Sequence, residues 1–477
     1  MELPDIGRSR GGRFRFRGIR LVHTHLNGEL LTQDDLTDLA LLRFDLVACL
    51  ETRSDGLPGV LEYAYLMPLN AENKPFFRET VKNIHTDETD FLELISAVES
   101  EFRKSLALAG YDGKGDRALL VSVQSDGRRD GDESLWELTQ LSQTAGFVVA
   151  DTIRQRRDKL NPRYAVGRGK LEEIILRSMQ LMVDTIIFDI DLSPNQAKAI
   201  ADAVEVEVLD RTDVILAIFE KRAQTRDGKL QVELARLKYS LPKLSERQMN
   251  LSRITGGIGA LGPGETKLEV LRRRARDRIR QLEKEIDNLG RQRELRRKRR
   301  GRVGLPQVSI VGYTNAGKST LINALTSAST LVEDKLFATL NPVSRRLRFP
   351  EEREIIITDT VGFIRDLPED LVAAFRATLE ELYEADLLIH LVDVSSPHWR
   401  EQKASVEKIL KDMRLDGIPR LLVFNKIDKL YESPETSGDV NNFDEDAVLI
   451  SASEKEGLIE LQQKMEEYLF HKIQRKS

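Results

Sequence analysis

The run Gly312, Tyr313, Thr314, Asn315, Ala316, Gly317, Lys318 and Ser319 constrains this chain more than any other stretch. It is a G-x-x-x-x-G-K-S loop that follows the apolar, strand-like Gln307–Val311 and opens an apolar-periodic helix beginning at Thr320. Strand, glycine-bearing loop and helix in that order belong to a parallel sheet covered by helices. The glycines let successive backbone N–H groups face one point, and the helix N-terminus adds partial positive charge there. The pattern therefore predicts a phosphate site. Lys318 is expected to reach the β- and γ-phosphates of a nucleotide, and the Ser319 hydroxyl to ligate Mg²⁺.

Three later motifs narrow the ligand. Asp359, Thr360, Val361 and Gly362 end the apolar run EIIIT, where an Asp can hold the Mg²⁺ shell and Gly362 can offer its N–H to a γ-phosphate. Asn425, Lys426, Ile427 and Asp428 follow the strand-like RLLVF. A carboxylate at Asp428 can accept from guanine N1–H and the 2-amino group, donors that adenine lacks, so GTP is preferred over ATP. Asn425 would brace the loops, and the Lys426 stem can lie over the base. Ser451, Ala452 and Ser453 match the remaining base-side loop. One threonine between the phosphate loop and Asp359 is expected to close over the γ-phosphate and Mg²⁺. Thr330 and Thr339 are both candidates. Thr339, within Phe337, Ala338, Thr339, Leu340 and Asn341, is preferred because that segment precedes the strand-like Val343–Phe349. Lys318, Thr339 and Gly362 are thus the expected catalytic set, with Ser319 and Thr339 as metal ligands. The residue after Gly362 is Phe363, which cannot hydrogen-bond to an attacking water as a Gln there would. Slow hydrolysis alone and stimulation by a partner are expected.

The 477 residues suggest about three domains at roughly 150 residues each. Residues 1–117 read as an α/β extension, with apolar positions over Leu36–Leu50 and a helix over Phe91–Ala109. Residues 118–227 alternate strand and helix as a second α/β unit. Its strands are expected at Ala118–Val123, Phe147–Ala150, Val183–Asp189 and Val204–Leu209. Its helices are expected near Leu135–Ala145 and Lys170–Gln180, after Ser193–Pro194, and through Phe219. Residues 228–303 read as a helical hairpin, Leu230–Leu251 and Glu265–Arg300, around the glycine cluster Gly256–Gly264. Residues 304–477 form the nucleotide domain, with a doubly wound, mostly parallel sheet. Its further strands fall at Glu354–Thr358, Asp386–Val392, Arg420–Phe424 and Ala447–Ile450, and a last helix at Leu458–Lys472.

Charge divides unevenly along the chain. The net is only −5, which excludes a uniformly basic nucleic-acid binder. Yet Lys267–Arg302 holds sixteen Lys/Arg against six acids, a local +10 that leaves −15 for the remainder. Such a helix suits contacts to a phosphate backbone. The single cysteine, Cys49, excludes an intrachain disulfide and reads as a small buried side chain. No apolar run approaches the roughly 18–20 residues that span a bilayer, and the N-terminus has no signal-like core. A cytoplasmic protein is expected, with some association at a membrane surface left open.

These motifs, with the runs Asp210–Leu216, Phe219–Ala235 and Gly256–Glu269, resemble the HflX family of bacterial GTPases over about Ala118 to the C-terminus. The resemblance implies a monomeric GTP/GDP-binding factor that docks on the large ribosomal subunit and its rRNA, where GTP hydrolysis is stimulated. Some members separate stalled or idle ribosomes. It also implies Thr339 as the Mg²⁺-linked threonine, and no DNA partner. A GTPase of ribosome assembly and a nucleotide-gated RNA binder with negligible turnover remain alternatives. The extension carries His23, His25 and Asp35, which can ligate Zn²⁺. Their layout is weakly similar to a JAMM-type metallopeptidase signature. It lacks the Pro after the second His, has Thr32 in place of Ser and is about one residue short. Only Glu2 precedes it as a water-activating acid, so a structural interaction domain is expected instead.

Overall fold

The computed structural model describes residues 18–72, 74–86, 89–108, 115–124, 131–204, 206–223, 225–247, 267–300, 305–326, 343–349, 353–360, 362–365, 380–432 and 446–472. Two compact units divide the chain, Met1–Arg211 and Thr212–Ser477.

The first unit holds two sheets. Strands β1 (Arg20–His23), β2 (Leu46–Thr52), β3 (Pro58–Leu66) and β4 (Phe76–Val81) lie side by side in chain order. β1 and β2 are parallel, joined through α1 (Gln33–Leu41), and β2, β3 and β4 are antiparallel. The segment Leu36–Leu50 therefore resolves into a helix and a strand. α1 starts where it does because Thr32 and Asp35 form a reciprocal capping box. The β3–β4 pair has no counterpart in the sequence-based expectations, although the aromatic and β-branched residues of VLEYAYL carry the strand signal.

After α2 (Phe91–Leu108), the second sheet is fully parallel. Its strands β5 (Arg117–Gln124), β6 (Val148–Arg156), β7 (Thr185–Phe188) and β8 (Glu207–Asp210) are ordered β6-β5-β7-β8. Helices α3 (Gly131–Ala145), α4 (Arg168–Gln180) and α5 (Pro194–Val204) make the crossovers. Ser193 and Gln196 cap α5 reciprocally, each side chain accepting the other's backbone N–H at 3.0–3.3 Å, with Pro194 in the first turn. β5 is buried along almost its whole length, as a central parallel strand must be. One core joins both sheets: Leu66, Val98 and Phe102 pack with Leu119, Val121, Ile186 and Phe188. Truncating Phe102 to Ala would cost about 3–5 kcal/mol.

α6 (Arg211–Arg222) leads into the second unit, where α7 (Arg226–Arg247) and α8 (Lys267–Arg300) pack together. α7 begins a turn before Leu230 because the Thr225 hydroxyl accepts the Gly228 N–H at 3.1 Å, an N-terminal cap. Leu230, Leu234 and Leu282 fill the seam. Glu233 takes a two-pronged contact from Arg278 at 2.7 and 2.9 Å, and Lys238 reaches Glu283 at 2.8 Å. The few acids near or on α8 are thus partly spent on the seam. The cluster Gly256–Gly264 lies outside the described residues.

The remaining strands are β9 (Gln307–Gly312), β10 (Val343–Arg348), β11 (Glu354–Asp359), β12 (Leu387–Asp393), β13 (Arg420–Asn425) and β14 (Val448–Leu449). They form a six-stranded sheet in the order β10-β11-β9-β12-β13-β14, parallel except for β10 against β11. Helices α9 (Lys318–Thr326), α10 (Trp399–Asp412), α11 (Ile427–Glu432) and α12 (Leu458–Glu466) accompany it, and α12 runs on as π-helical turns to Lys472. Its core includes Val308, Ile310, Leu321, Ile357, Ile389, Val423 and Leu461. This is the doubly wound nucleotide fold that the motifs predict, and β9, β11 and β13 end together at Gly312, Asp359 and Asn425.

Candidate nucleotide site

The phosphate loop turns between β9 and α9. Asn315 and Gly317 carry positive φ angles of 63° and 91°, so the chain wraps tightly before the helix begins. At Gly317 a Cβ would also collide with the Asn425 side-chain nitrogen, which explains a glycine there twice over. Lys318 is buried and donates from Nζ to the carbonyls of Gly312 at 3.2 Å and Tyr313 at 2.8 Å. Burial pushes its amine down to about 8; Asp359 opposes the shift and Lys426 adds to it. The helix continues through Ser319 and Thr320, and the Ser319 hydroxyl donates to Asp359 Oδ2 at 2.7 Å.

The second motif is stitched to the first. Thr314 N–H donates to the Phe363 carbonyl at 2.8 Å, and Phe363 N–H donates to the Gly312 carbonyl at 3.1 Å. Gly362 consequently sits so close that a Cβ on it would stand 2.8 Å from Thr314 Cγ2 and 3.1 Å from Lys318 Nζ. Thr360 turns inward, its hydroxyl on the Ile310 carbonyl at 2.5 Å. Phe363 has its side chain buried, so the position following Gly362 presents no polar side chain to the site.

The base-side loops are tied to the same frame. Ala452 N–H donates to Asn425 Oδ1 at 3.0 Å, and the Asn425 amide nitrogen reaches the phosphate loop. Lys426, at φ 65°, pairs with Asp393 at 2.7 Å. Ile427 opens α11 and is buried. Asp428, in the first turn of α11, has its Oδ1 buried without a hydrogen-bond partner among the described residues. Ser451 and Ser453 share a hydroxyl contact at 3.1 Å, and Ser451 Oγ accepts the Glu454 N–H at 3.2 Å.

The described motif residues, Gly312 to Thr320, Asp359, Thr360, Gly362, Asn425 to Asp428 and Ser451 to Ser453, therefore converge on one edge of the sheet. Phe337, Ala338, Thr339, Leu340, Asn341 and Val361 lie outside the described residues. Tyr313, within the phosphate loop, also receives the Arg365 N–H on its hydroxyl at 3.1 Å. One participant escapes the motif reading: Asp393, which anchors Lys426, and for which the acid closing the apolar run of β12 was the available signal.

Comparison with known proteins agrees with this geometry. Three family profiles match in sequence order: "GTP-binding GTPase N-terminal" over residues 132–220, "GTP-binding GTPase Middle Region" over 222–300 and "50S ribosome-binding GTPase" over 307–426. The GTPase HflX of Caldanaerobacter subterraneus subsp. tengcongensis is 49% identical over 355 residues, covering 74% of this chain and 81% of that relative. The GTPase HflX of Escherichia coli K12 is 42% identical over 360 residues, covering 75% and 84%. Among solved structures, a GTP-binding protein from the archaeon Sulfolobus solfataricus in complex with GDP is 27% identical, with 74% of this chain and 98% of that chain covered at a TM-score of 0.40. No helix among the described residues is long and apolar enough to cross a membrane. With its nucleotide loops assembled and its relatives matched over most of their length, the chain belongs to the HflX family of GTPases.

Proposed function

We propose that this chain binds Mg²⁺–GTP at the carboxyl edge of the six-stranded sheet, docks in that state on the large ribosomal subunit, and hydrolyses GTP slowly until the ribosome stimulates it. Separation or recycling of ribosomes idled under stress is the outcome we infer. The observation that carries the guanine assignment is the buried Oδ1 of Asp428, which has no hydrogen-bond partner among the described residues, beside a loop braced by Asn425. A carboxylate oxygen held away from water without donors is costly, and guanine's N1–H and 2-amino group would supply both. The ribosomal assignment is supported by the "50S ribosome-binding GTPase" profile and by the basic segment within residues 228–303. Residues 118–227 and 304–477 would flank that segment as the α/β subdomain and the nucleotide domain, with 1–117 as an appended unit.

Lys318 would exchange its two carbonyl contacts for phosphate oxygens. Ser319 Oγ and Asp359 Oδ2, 2.7 Å apart, are the hard oxygen donors that a Mg²⁺ shell needs. Ser319 and Thr339 would bind the ion directly and Asp359 through water. When bound, Mg²⁺ neutralises charge on the β- and γ-oxygens. Gly362 N–H would sense the γ-phosphate, and the backbone bonds between Phe363 and the phosphate loop would transmit its presence. Because Phe363 offers no polar group, orientation of the attacking water falls to another group or to the ribosome.

Sedimentation through a sucrose gradient with a non-hydrolysable GTP analogue tests this directly. Comigration with mature large subunits is expected; comigration with precursor particles alone would point to assembly instead. Turnover measured with and without ribosomes should rise with them, and equal rates would defeat the stimulated mechanism.

A further inference from the structure

The phosphate loop carries a hydroxyl that makes no hydrogen bond among the described residues, that of Thr314. The residue is 6% exposed, and its Oγ1 is fully buried. Buried hydroxyls are nearly always paired, because each gives up its bonds to water on folding. In a ligand-binding loop, an orphaned one marks a place where the partner arrives with the ligand. Asp428 Oδ1 has the same character on the base side.

The rest of Thr314 is engaged. Its N–H donates to the Phe363 carbonyl at 2.8 Å, which fixes the loop against the segment after Asp359. Its methyl lies against Gly362, where an added Cβ would stand 2.8 Å from Thr314 Cγ2 and 3.0 Å from Thr314 Cα. Methyl and hydroxyl branch from one Cβ, so Oγ1 belongs to the same crowded spot. A valine of that shape would pack on Gly362 equally well, and packing gives no reason for a hydroxyl here.

The added atom on Gly362 would also stand 3.1 Å from Lys318 Nζ. Thr314, Gly362 and the Lys318 ammonium therefore meet around one point. Two of them, Lys318 Nζ and the Gly362 N–H, are the groups that would face the γ-phosphate. In the free protein Lys318 is folded onto the carbonyls of Gly312 and Tyr313. A phosphate that draws the ammonium off these carbonyls enters the same space.

We propose that Thr314 is a specificity-determining residue, whose hydroxyl donates to a γ-phosphate oxygen and so favours GTP over GDP. The inference rests on the reading that Lys318 and Gly362 face the γ-phosphate. A threonine hydroxyl has one proton to donate, and a charged phosphate oxygen is a stronger acceptor than a carbonyl. GDP brings no oxygen to that point, and its complex leaves the hydroxyl as it is in the free protein. The two nucleotides thus differ by a charge-assisted hydrogen bond set against a buried group left unpaired. Thr314 supplies beside the γ-phosphate the polar side chain that the buried, apolar Phe363 withholds.

The test compares Thr314→Val, which removes the hydroxyl and keeps the shape, with Thr314→Ser, which keeps the hydroxyl and removes the methyl. Affinities for GDP and a non-hydrolysable GTP analogue are measured by titration in the presence of Mg²⁺. Thr314→Val should weaken the analogue about 10- to 100-fold, the range of one hydrogen bond to a charged group. Its GDP affinity should stay within twofold of wild type, and Thr314→Ser should keep the wild-type ratio of the two. The nucleotide-free Thr314→Val protein should melt at the wild-type temperature or above, since it loses an unpaired buried hydroxyl. An unchanged analogue-to-GDP ratio in Thr314→Val, equal weakening of both nucleotides, or a lower melting temperature would each overturn the proposal. A Thr314→Ser ratio fallen to that of Thr314→Val would do the same, by assigning the effect to the methyl. Gly362→Ala separates the two levels of the argument. If it too leaves the ratio unchanged, the γ-phosphate reading fails; if it alters the ratio while Thr314→Val does not, the role of the hydroxyl alone fails.

Discussion

The side-chain nitrogen of Asn425 donates to the carbonyl of Ala316 at 2.8 Å, joining the loop after β13 to the loop after β9. The same side chain receives the Ala452 N–H on its oxygen at 3.0 Å, so one amide links three loops. Asn425→Ala leaves a buried carbonyl and a buried N–H unpaired, each costing about 1–3 kcal/mol. GDP affinity should fall on the order of 10- to 100-fold, as read by titration with a fluorescent GDP analogue. An affinity within twofold of wild type would show that the loops hold their places without it.

Asp428→Asn replaces one carboxylate oxygen with a donor. Guanine's 2-amino group would then face an N–H, and binding of GDP should drop on the order of 100-fold or more. Xanthine carries a carbonyl at that position and should bind the variant better than guanine does. Competition between GDP and XDP measures the reversal.

Gly362→Ala would set a methyl group against Thr314 Cα and Cγ2, at 3.0 and 2.8 Å, where neither backbone can easily yield. The phosphate loop itself survives in most of its contacts, so GDP binding should change only severalfold. Discrimination between GTP analogues and GDP should shrink to near unity, and ribosome-stimulated turnover should fall at least tenfold. Equal analogue preference in variant and wild type would exclude a sensing role.

Lys318 provides a pH signature. In the free protein its amine lies at about 8, against 10.5 ordinarily, chiefly because it is buried. The unfolded chain therefore binds more protons between about pH 8 and 10.5, and the free protein should gain stability as pH rises through that window. Bound phosphates stabilise the charged form and raise the value again. Nucleotide binding should accordingly take up a proton above about pH 8, and affinity should decline by at most tenfold per pH unit there. Calorimetry in two buffers of different ionisation heat checks the uptake, and thermal melts of the free protein check the stability trend.

The basic helix α8 should make ribosome binding steeply salt-dependent. Neutralising Arg296, Arg297, Lys298, Arg299 and Arg300 would flatten the slope of log K against log salt by about 0.7–0.9 for every phosphate the helix no longer neutralises. Intrinsic GDP affinity should stay unchanged. A slope identical to wild type would place the phosphate-binding residues elsewhere.

Much of the nucleotide site is legible in the linear chain because phosphate and guanine chemistry demands particular groups at short, fixed spacing. Gly317, Lys318 and Ser319 must follow a strand and open a helix, and Asp428 must stand three residues after Asn425. The long apolar runs of β7, β9 and β12 likewise announce a parallel sheet buried on both faces. The local charge of α8 is equally a property of the sequence. The β3–β4 pair is less visible, since its short alternating runs compete with turn residues and gain their stability from pairing.

The sequence by itself determined a GTP-binding α/β chain, because each of its nucleotide motifs is a local arrangement with its own chemistry. Only the tertiary structure decided what depends on distant partners. It joins Tyr313 and Phe363 in a backbone bridge across 50 residues, packs Phe102 with Phe188 in one core, and brings Cys49 beside His23 and His25. Cys49 looks like an ordinary buried thiol in isolation. A parallel strand pairing sets it opposite His23, and register between strands far apart in sequence is settled by which faces the whole fold can bury.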